Sequence, residues 1–138
     1  MGVLDVCAAV VIRRGRMLLA TRRPGSRNAG LWEFPGGKVA TGESLGECIA
    51  REIVEELAYG VSCEGEIDTL VQERPSEDTE LRLHFLACRG EECSEPVPQE
   101  GQQCGWFSPA EWSSLEMAPL DRQFLLKHSA ELAEKCSN

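Results

Sequence analysis

The chain has 138 residues, 42% of them hydrophobic and 27% charged, with a formal net charge of −9. That length accommodates one domain over residues 1–138 and no second one of ordinary size, and the composition excludes the disordered and fibrous classes. The negative charge disfavours duplex nucleic acid as a partner. No apolar run approaches the ~20 residues of a membrane span and the first residues lack the basic start of a secretory leader, so the expectation is a cytoplasmic protein with no membrane partner.

In chain order, "LDVCAAVVIRRGRMLLATRR" (4–23) holds two apolar, β-branched runs around Arg13-Arg14-Gly15-Arg16, which predicts a hairpin with largely buried strands. The next twenty residues, "PGSRNAGLWEFPGGKVATGE", carry two prolines and five glycines, suited to an ordered loop rather than a helix. From Glu43 or Ser44, apolar residues recur at steps of four (Leu45, Ile49, Ile53, Leu57), the stripe of a packed helix reaching about residue 58. Residues 61–73 and 79–89 alternate like strands on either side of "RPSEDT", a turn signal. "GEECSEPVPQEGQQ" reads as a polar loop and "CGWFS" as a returning strand. "SPAEW" combines a serine N-cap, a proline at the first helical position and a glutamate three residues after the cap. A last helix over roughly 121–135 has Phe124, Leu125, Leu132 and Ala133 on one side. Strands and helices without regular βα alternation argue for an α+β or mixed-sheet α/β sandwich rather than a Rossmann array.

Seven cysteines, an odd number with no C-x-x-C spacing, suggest neither a disulfide framework nor a zinc site. His84, Leu86 and Cys88 share one face of a strand, and Cys93 lies past a turn, so His84 and the cysteines lack paired-ligand spacing. The charge is unevenly placed. Arg13, Arg14, Arg16, Arg22, Arg23, Arg27 and Lys38 are seven of the fourteen basic residues, all within the first 38 positions, so a small anion could still be held locally.

The chemistry concentrates in one spaced pattern: Gly37, five residues, Glu43, seven residues, then "REIVEEL". On a helix Glu52, Glu55 and Glu56 are related by i,i+3 and i,i+4 steps and project from one face, where each like-charge pair costs roughly 0.2–0.5 kcal/mol. Such a face can be plain solvated surface. It can equally be a cation site, because hard divalent ions take carboxylate oxygens together with substrate phosphates. Glycines at 36 and 37 would let a backbone carbonyl approach an ion closely, and Arg51, four residues before Glu55, can pair with it and fix its rotamer.

"GGKVATGESLGECIAREIVEELAYGV" resembles the signature box of the Nudix hydrolase family at all positions but one. The departure is Ala58, where the family usually has glycine; with Gly60 two residues on, the expectation is a helix that runs toward Gly60. "LLATRRPGSRNAGLWEFPGGK", "QEGQQCGWFSPAEW" and "MAPLD" look like the flanking segments of MutT-type members, so the resemblance spans about residues 5–126. It implies a Nudix-type α/β/α sandwich with a mixed β-sheet between helices. It also implies Mg²⁺- or Mn²⁺-dependent hydrolysis of a nucleoside triphosphate to the monophosphate and pyrophosphate, in the service of cleansing the nucleotide pool. The substrate would be an oxidised purine nucleotide such as 8-oxo-dGTP or a pyrimidine nucleotide such as CTP or modified dCTP.

By the same resemblance the metal ligands are the Gly36 carbonyl, Glu52, Glu55 and Glu56, with Glu100 a further ligand or the base that activates water. Arg22, Arg23 and Lys38 flank the site in sequence and can meet phosphate oxygens, with Gly37 a further substrate-binding residue, though Arg22 and Arg23 can also be the surface end of a strand, and Glu100 an exposed loop charge. Phe34 and Leu31 would face a base or fill the loop, and Trp32 would pack. Asp121 stands where MutT-type enzymes have an asparagine that reads the purine edge. Ionised, it only accepts hydrogen bonds, which puts recognition of oxidised guanine in doubt, and it serves equally well as an N-cap. Hydrolysis of another nucleoside diphosphate derivative and a non-catalytic Nudix-fold binding module are the alternatives, and monomer against homodimer stays open.

Overall fold

The computed structural model describes residues 2–138. The hairpin forms as expected: β1 (Gly2–Arg13) and β2 (Arg16–Thr21) pair antiparallel, with Arg13 opposite Arg16. Both turn residues, Arg14 and Gly15, have positive φ (52° and 79°), the backbone a two-residue turn needs to match strand twist. After the loop come two short strands, β3 (Trp32–Glu33) and β4 (Gly36–Lys38). Helix α1 (Leu45–Leu57) follows, then the long strands β5 (Val61–Arg74) and β6 (Thr79–Gly90), joined by a 3-10 turn at Pro75–Glu77. The short strand β7 (Cys104–Phe107), the single-turn helix α2 (Pro109–Trp112) and helix α3 (Pro119–Cys136) complete the chain.

The sheet is mixed. Its order is β3-β2-β1-β6-β5, with β1 and β6 parallel, β4 added antiparallel to β1 and β7 antiparallel to β2. Strand β1 is buried on both faces, which explains its unbroken apolar run. Cys7, Ala9 and Val11 point to the side covered by Ile49, Ile53 and Leu57 of α1. Ala8 and Val10 point to the side covered by Phe124, Leu125 and Leu132 of α3 and Trp112 of α2. The result is the expected α/β/α sandwich with a mixed sheet.

Local signals set the helix starts. Ser44 caps α1 in a capping box with Glu47, and Ser108 caps α2 with Glu111 and Pro109 at the first position. The other end of α1 departs from expectation. The helix does not run on to Gly60; it stops at Leu57, and Ala58 adopts the left-handed conformation (φ 48°, ψ 42°) with its N–H donating to the Val54 carbonyl at 3.0 Å. The cause is on the next residue: Tyr59 is buried in the α1-side core, and its hydroxyl donates to the Glu91 carbonyl. Burying that ring holds the chain in a turn that glycine would take freely and alanine takes at a cost of about 1–2 kcal/mol.

Helix α3 begins two residues earlier than the sequence indicates, with Pro119 at its first position and Ala118 as N-cap. Asp121 is therefore inside the first turn and is not the N-cap. None of the helices is long and apolar enough to cross a membrane. All seven thiols are free. His84 contacts carboxylates rather than thiols, lying 2.9 Å from both Asp5 and Glu66.

Candidate active site

One cleft of about 820 Å³ opens between the glycine strand β4, helix α1 and the start of α3, a size suited to a small-molecule ligand. Gly36, Gly37, Lys38, Glu52 and Glu56 line one end. Arg22 and Arg23 line the wall, and Phe34 and Asp121 the other end. Residues distant in the chain meet here because β4 is hydrogen-bonded along β1, with Gly36 opposite Ala8 and Gly37 opposite Cys7.

Gly36 is demanded by its approach to the β1 backbone, and Gly37 leaves room for the Glu52 carboxylate. A Cβ on Gly36 would lie 1.9 Å from the Cys7 carbonyl oxygen, and one on Gly37 would lie 2.1 Å from Glu52 Oε2. Lack of a side chain at 37 is thus what lets the Glu52 carboxylate reach the loop backbone. The Gly36 N–H donates to Glu56 Oε2 at 3.2 Å, tying the loop to the helix a second time.

Arg51 organises the glutamates. It grips Glu43 through two bonds, Nε to Oε2 at 2.7 Å and Nη2 to Oε1 at 2.9 Å, and also reaches Glu52 Oε1 at 2.9 Å, Glu55 Oε2 at 3.1 Å and the Lys38 carbonyl at 3.1 Å. The Arg51–Glu55 pair anticipated from i,i+4 spacing is present, but the bidentate partner is Glu43. The Arg51 guanidinium and the Ala40 N–H hold the Glu43 carboxyl at about 2.

The three helix glutamates are unequal. Glu56 is buried, 4% exposed, and forms no ion pair among the described residues; burial first, then the charge of Glu33, raise its carboxyl to about 7. Glu52 lines the cleft half-buried. Glu55 is exposed at the rim, outside the cleft wall. Glu100 is also exposed and outside the wall, at the tip of a turn beside α1. Among the described residues no three carboxylates or other ligating side chains converge on one point. Glu52 and Glu55 are drawn to Arg51, and Glu56 to the loop.

At the opposite end the open questions are resolved by burial. The Phe34 ring is 2% exposed and packs edge-on against Phe85 and Phe124, so its main role is core packing. Its backbone N–H instead serves the cleft, donating to Asp121 Oδ1 at 3.0 Å. Leu31 is not part of the cleft wall, and Trp32 packs edge-on against Phe107 at 4.9 Å. Asp121 is 5% exposed; burial, then the nearby Glu33 charge, push its carboxyl up to about 8. At neutral pH it is largely a neutral acid able to donate as well as accept, which corrects the reading of an acceptor-only aspartate.

Arg22 bonds Glu33 at 2.8 Å and the Arg27 carbonyl, so it is a structural strand end that also lines the cleft. Arg23 and Lys38 are exposed on the wall and form no ion pair among the described residues. Both are free to meet an anion.

Two cleft residues were missed by sequence reasoning. Glu33 sits between two aromatics in "LWEF", where alternation makes it look solvent-facing; in the fold its carboxyl is raised by burial and faces Asp121 and Glu56. Gln102, in a polar loop with no signal of its own, is 8% exposed and donates through Nε2 to the Thr21 carbonyl at 2.9 Å.

Comparison with known proteins identifies the family. The NUDIX domain model matches residues 3–128. The chain is 34% identical over 122 residues to the CTP pyrophosphohydrolase of Escherichia coli K12, covering 88% of this chain and 87% of that protein. It is 32% identical over 129 residues to the putative 8-oxo-dGTP diphosphatase 2 of Mycobacterium tuberculosis H37Rv, covering 87% and 84%. Among solved structures, the solution structure of the E. coli ORF135 protein superposes with a TM-score of 0.78 at 32% identity, covering 94% of this chain and 91% of that one. A matching sequence over most of the chain, the same fold and the glycine-anchored glutamate helix lead to one conclusion: this chain belongs to the Nudix hydrolase family.

Proposed function

We propose that the protein hydrolyses a nucleoside triphosphate to the monophosphate and pyrophosphate with Mg²⁺ or Mn²⁺. The observation that carries this reading is the single cleft with a carboxylate-and-cation end and, across it, a buried polar end at Asp121. The first suits a metal-bound polyphosphate, the second a base edge.

Nudix hydrolases generally depend on a divalent metal. The donor chemistry suits such an ion: all are hard oxygens, and Glu56 is a buried carboxylate in no ion pair among the described residues. Glu52, Glu55, Glu56 and the Gly36 carbonyl would hold it, with Glu100 completing the set or taking the proton of the attacking water. Bound there, the metal would supply charge neutralisation on the phosphate oxygens. Arg23 and Lys38 would bind the remaining phosphate charge, and Arg51, bonded to both Glu52 and Glu55, would hold them in place. Water adds its oxygen to the β-phosphorus, the bond from that phosphorus to the oxygen bridging it to the α-phosphate breaks, the nucleoside monophosphate leaves with that oxygen, and the water's proton passes to a carboxylate.

The relatives are named for CTP and, in the one described as putative, for 8-oxo-dGTP, and both are candidate substrates. A neutral Asp121 can accept from an exocyclic amine and donate to a ring nitrogen or carbonyl, so it serves a cytosine edge and no longer weighs against oxidised guanine. A panel of CTP, modified dCTP, 8-oxo-dGTP and the unmodified nucleotides, with pyrophosphate and phosphate release measured separately, tests the reading. Pyrophosphate release that falls by about 10²–10³-fold in Glu56→Gln is expected. Unchanged hydrolysis in that variant, or none by the wild type with metal present, would overturn it.

A further inference from the structure

Residues 91–103 cross from β6 to β7 and carry Glu100 past the glutamate helix. The segment is fastened at three places. Arg13, 7% exposed, donates to the carbonyls of Glu91 (2.9 Å) and Ser94 (2.8 Å), while its guanidinium lies 4.3 Å over the Trp106 ring. The Val97 N–H donates to the Leu57 carbonyl at 2.6 Å, and Gln99 Nε2 donates to the Glu55 carbonyl at 2.8 Å. Finally, Gln102 and Gln103 bond to Thr21 of β2.

Between the last two points the chain makes a tight turn, closed by the Gln102 N–H on the Gln99 carbonyl at 3.0 Å, with Gly101 at φ 85° in its third position. The turn delivers the Gln102 side chain into the cleft wall beside Glu56. Its Nε2 has two neighbours, the Thr21 carbonyl at 2.9 Å and Glu56 Oε1 at 3.5 Å. The Thr21 carbonyl can only accept, so the amide must present its NH₂ on that side; the opposite flip would set oxygen against oxygen.

Oε1 then faces away from both. Among the described residues it is the one buried side-chain polar atom with no hydrogen-bond partner. Buried acceptors are nearly always paired, so this one points to a donor that belongs in the cleft. Neither phosphate oxygens nor ionised carboxylates donate. Water does, and a buried polar acceptor beside a carboxylate is where a water is held.

We propose that Gln102 is a positioning residue for hydrolysis: its NH₂ holds Glu56 toward β2, and its Oε1 accepts a hydrogen bond from a water in the cleft beside that carboxylate. The inference rests on the triphosphate-hydrolase reading above. Its effect is on the arrangement of Glu56 and water, so it changes turnover and cation affinity while leaving nucleotide affinity alone.

The test uses the full chain with Gln102→Leu, which removes both functions, and Gln102→Met, which keeps length and flexibility in case leucine does not fold. Each is compared with wild type for Tm, for kcat and KM with the nucleotide cleaved best, and for Mn²⁺ affinity without nucleotide by electron paramagnetic resonance. The expected result is a kcat lowered tenfold or more, a KM within twofold, and Mn²⁺ binding weakened threefold or more, with Tm retained. A folded variant with kcat and Mn²⁺ affinity both within twofold of wild type overturns the proposal. A fivefold higher KM at unchanged kcat does so too, since it assigns Gln102 to substrate binding. If the wild type cleaves no nucleotide, the hydrolase reading fails by itself, and the Mn²⁺ comparison still decides whether Gln102 positions Glu56.

Discussion

The two ends of the cleft are built differently. At the glutamate end, residues 36–57 supply nearly everything: two glycines, Glu43, Arg51, Glu52 and Glu56 lie within one loop and one helix, and Arg51 contacts partners at most thirteen positions away. At the other end, Phe34 meets Asp121 across 87 residues; away from the cleft, α3 is tied to β5 by His128 and Asp68 across 60. At the local end Glu43, Glu52 and Glu55 are paired with Arg51, while Glu56 is buried and bonded by the Gly36 N–H of its own loop. At the distant end Asp121 is buried and its carboxyl is raised. The lesson is that helical spacing alone sets carboxylates and a guanidinium side by side, whereas burying an acid takes packing by distant segments, Gln102 beside Glu56 and Phe34 beside Asp121.

The sharpest way to break the local end is Gly37→Ala. Its Cβ would intrude to 2.1 Å from Glu52 Oε2, so the carboxylate must move; a displacement of this size costs about 10²-fold in kcat/KM. Steady-state kinetics with a melting curve checks this, and wild-type activity would show that Glu52 need not sit against the loop.

Asp121→Asn tests the distant end through pH. The folded pKa of Asp121 is raised to about 8, above an unfolded value near the ordinary 3.8, so its contribution to stability is full below about pH 4 and is lost as pH rises toward 8. Asparagine removes that loss. The variant should gain on wild type by about 1 kcal/mol or more, roughly 3 °C in Tm, between pH 5 and pH 8. Parallel Tm–pH curves would refute the burial argument.

Ala58→Gly sharpens the account of the local end. Relieving the left-handed alanine should stabilise the fold by about 1 kcal/mol without touching the cleft, measurable as a higher denaturant midpoint at unchanged m.

The smallest effect is expected from His128→Gln. His128 bonds Asp68 at 2.8 Å and also contacts Glu131; burial opposes its charge, but those two carboxylates win and raise its pKa. A raised histidine stabilises fully below the unfolded value near 6.5 and loses that contribution as pH climbs through the folded pKa. The variant should therefore lose about 0.5–1 kcal/mol at pH 6 and less at pH 9, read from melting curves at both.

Much of this molecule was legible before folding, and the reasons are local. Alternation exposed β5 and β6, a four-residue stripe exposed α1, and the serine-glutamate pairs at 44/47 and 108/111 marked two helix starts. The misreadings share a cause. Ala58 was expected to let the helix continue because propensity governs an isolated segment; burial of Tyr59 ends it instead. In sequence Asp121 reads equally as an N-cap and as an ionised acceptor, because its burial is visible only in the fold. Glu33 and Gln102 carried no signal at all, since a polar residue in a loop or between aromatics is ordinarily solvated.

By itself the sequence determined the mixed architecture, the glycine-glutamate array and the membership of the family that array marks, because these depend on periodicity and spacing along the chain. Only the tertiary structure decided which glutamate is buried, that Asp121 is largely neutral, and that Gln102 stands beside Glu56 with one atom unpartnered. Protonation and hydrogen-bond satisfaction depend on the distance to other groups and to water, and those distances come into being when β2, α1 and α3 close around the cleft.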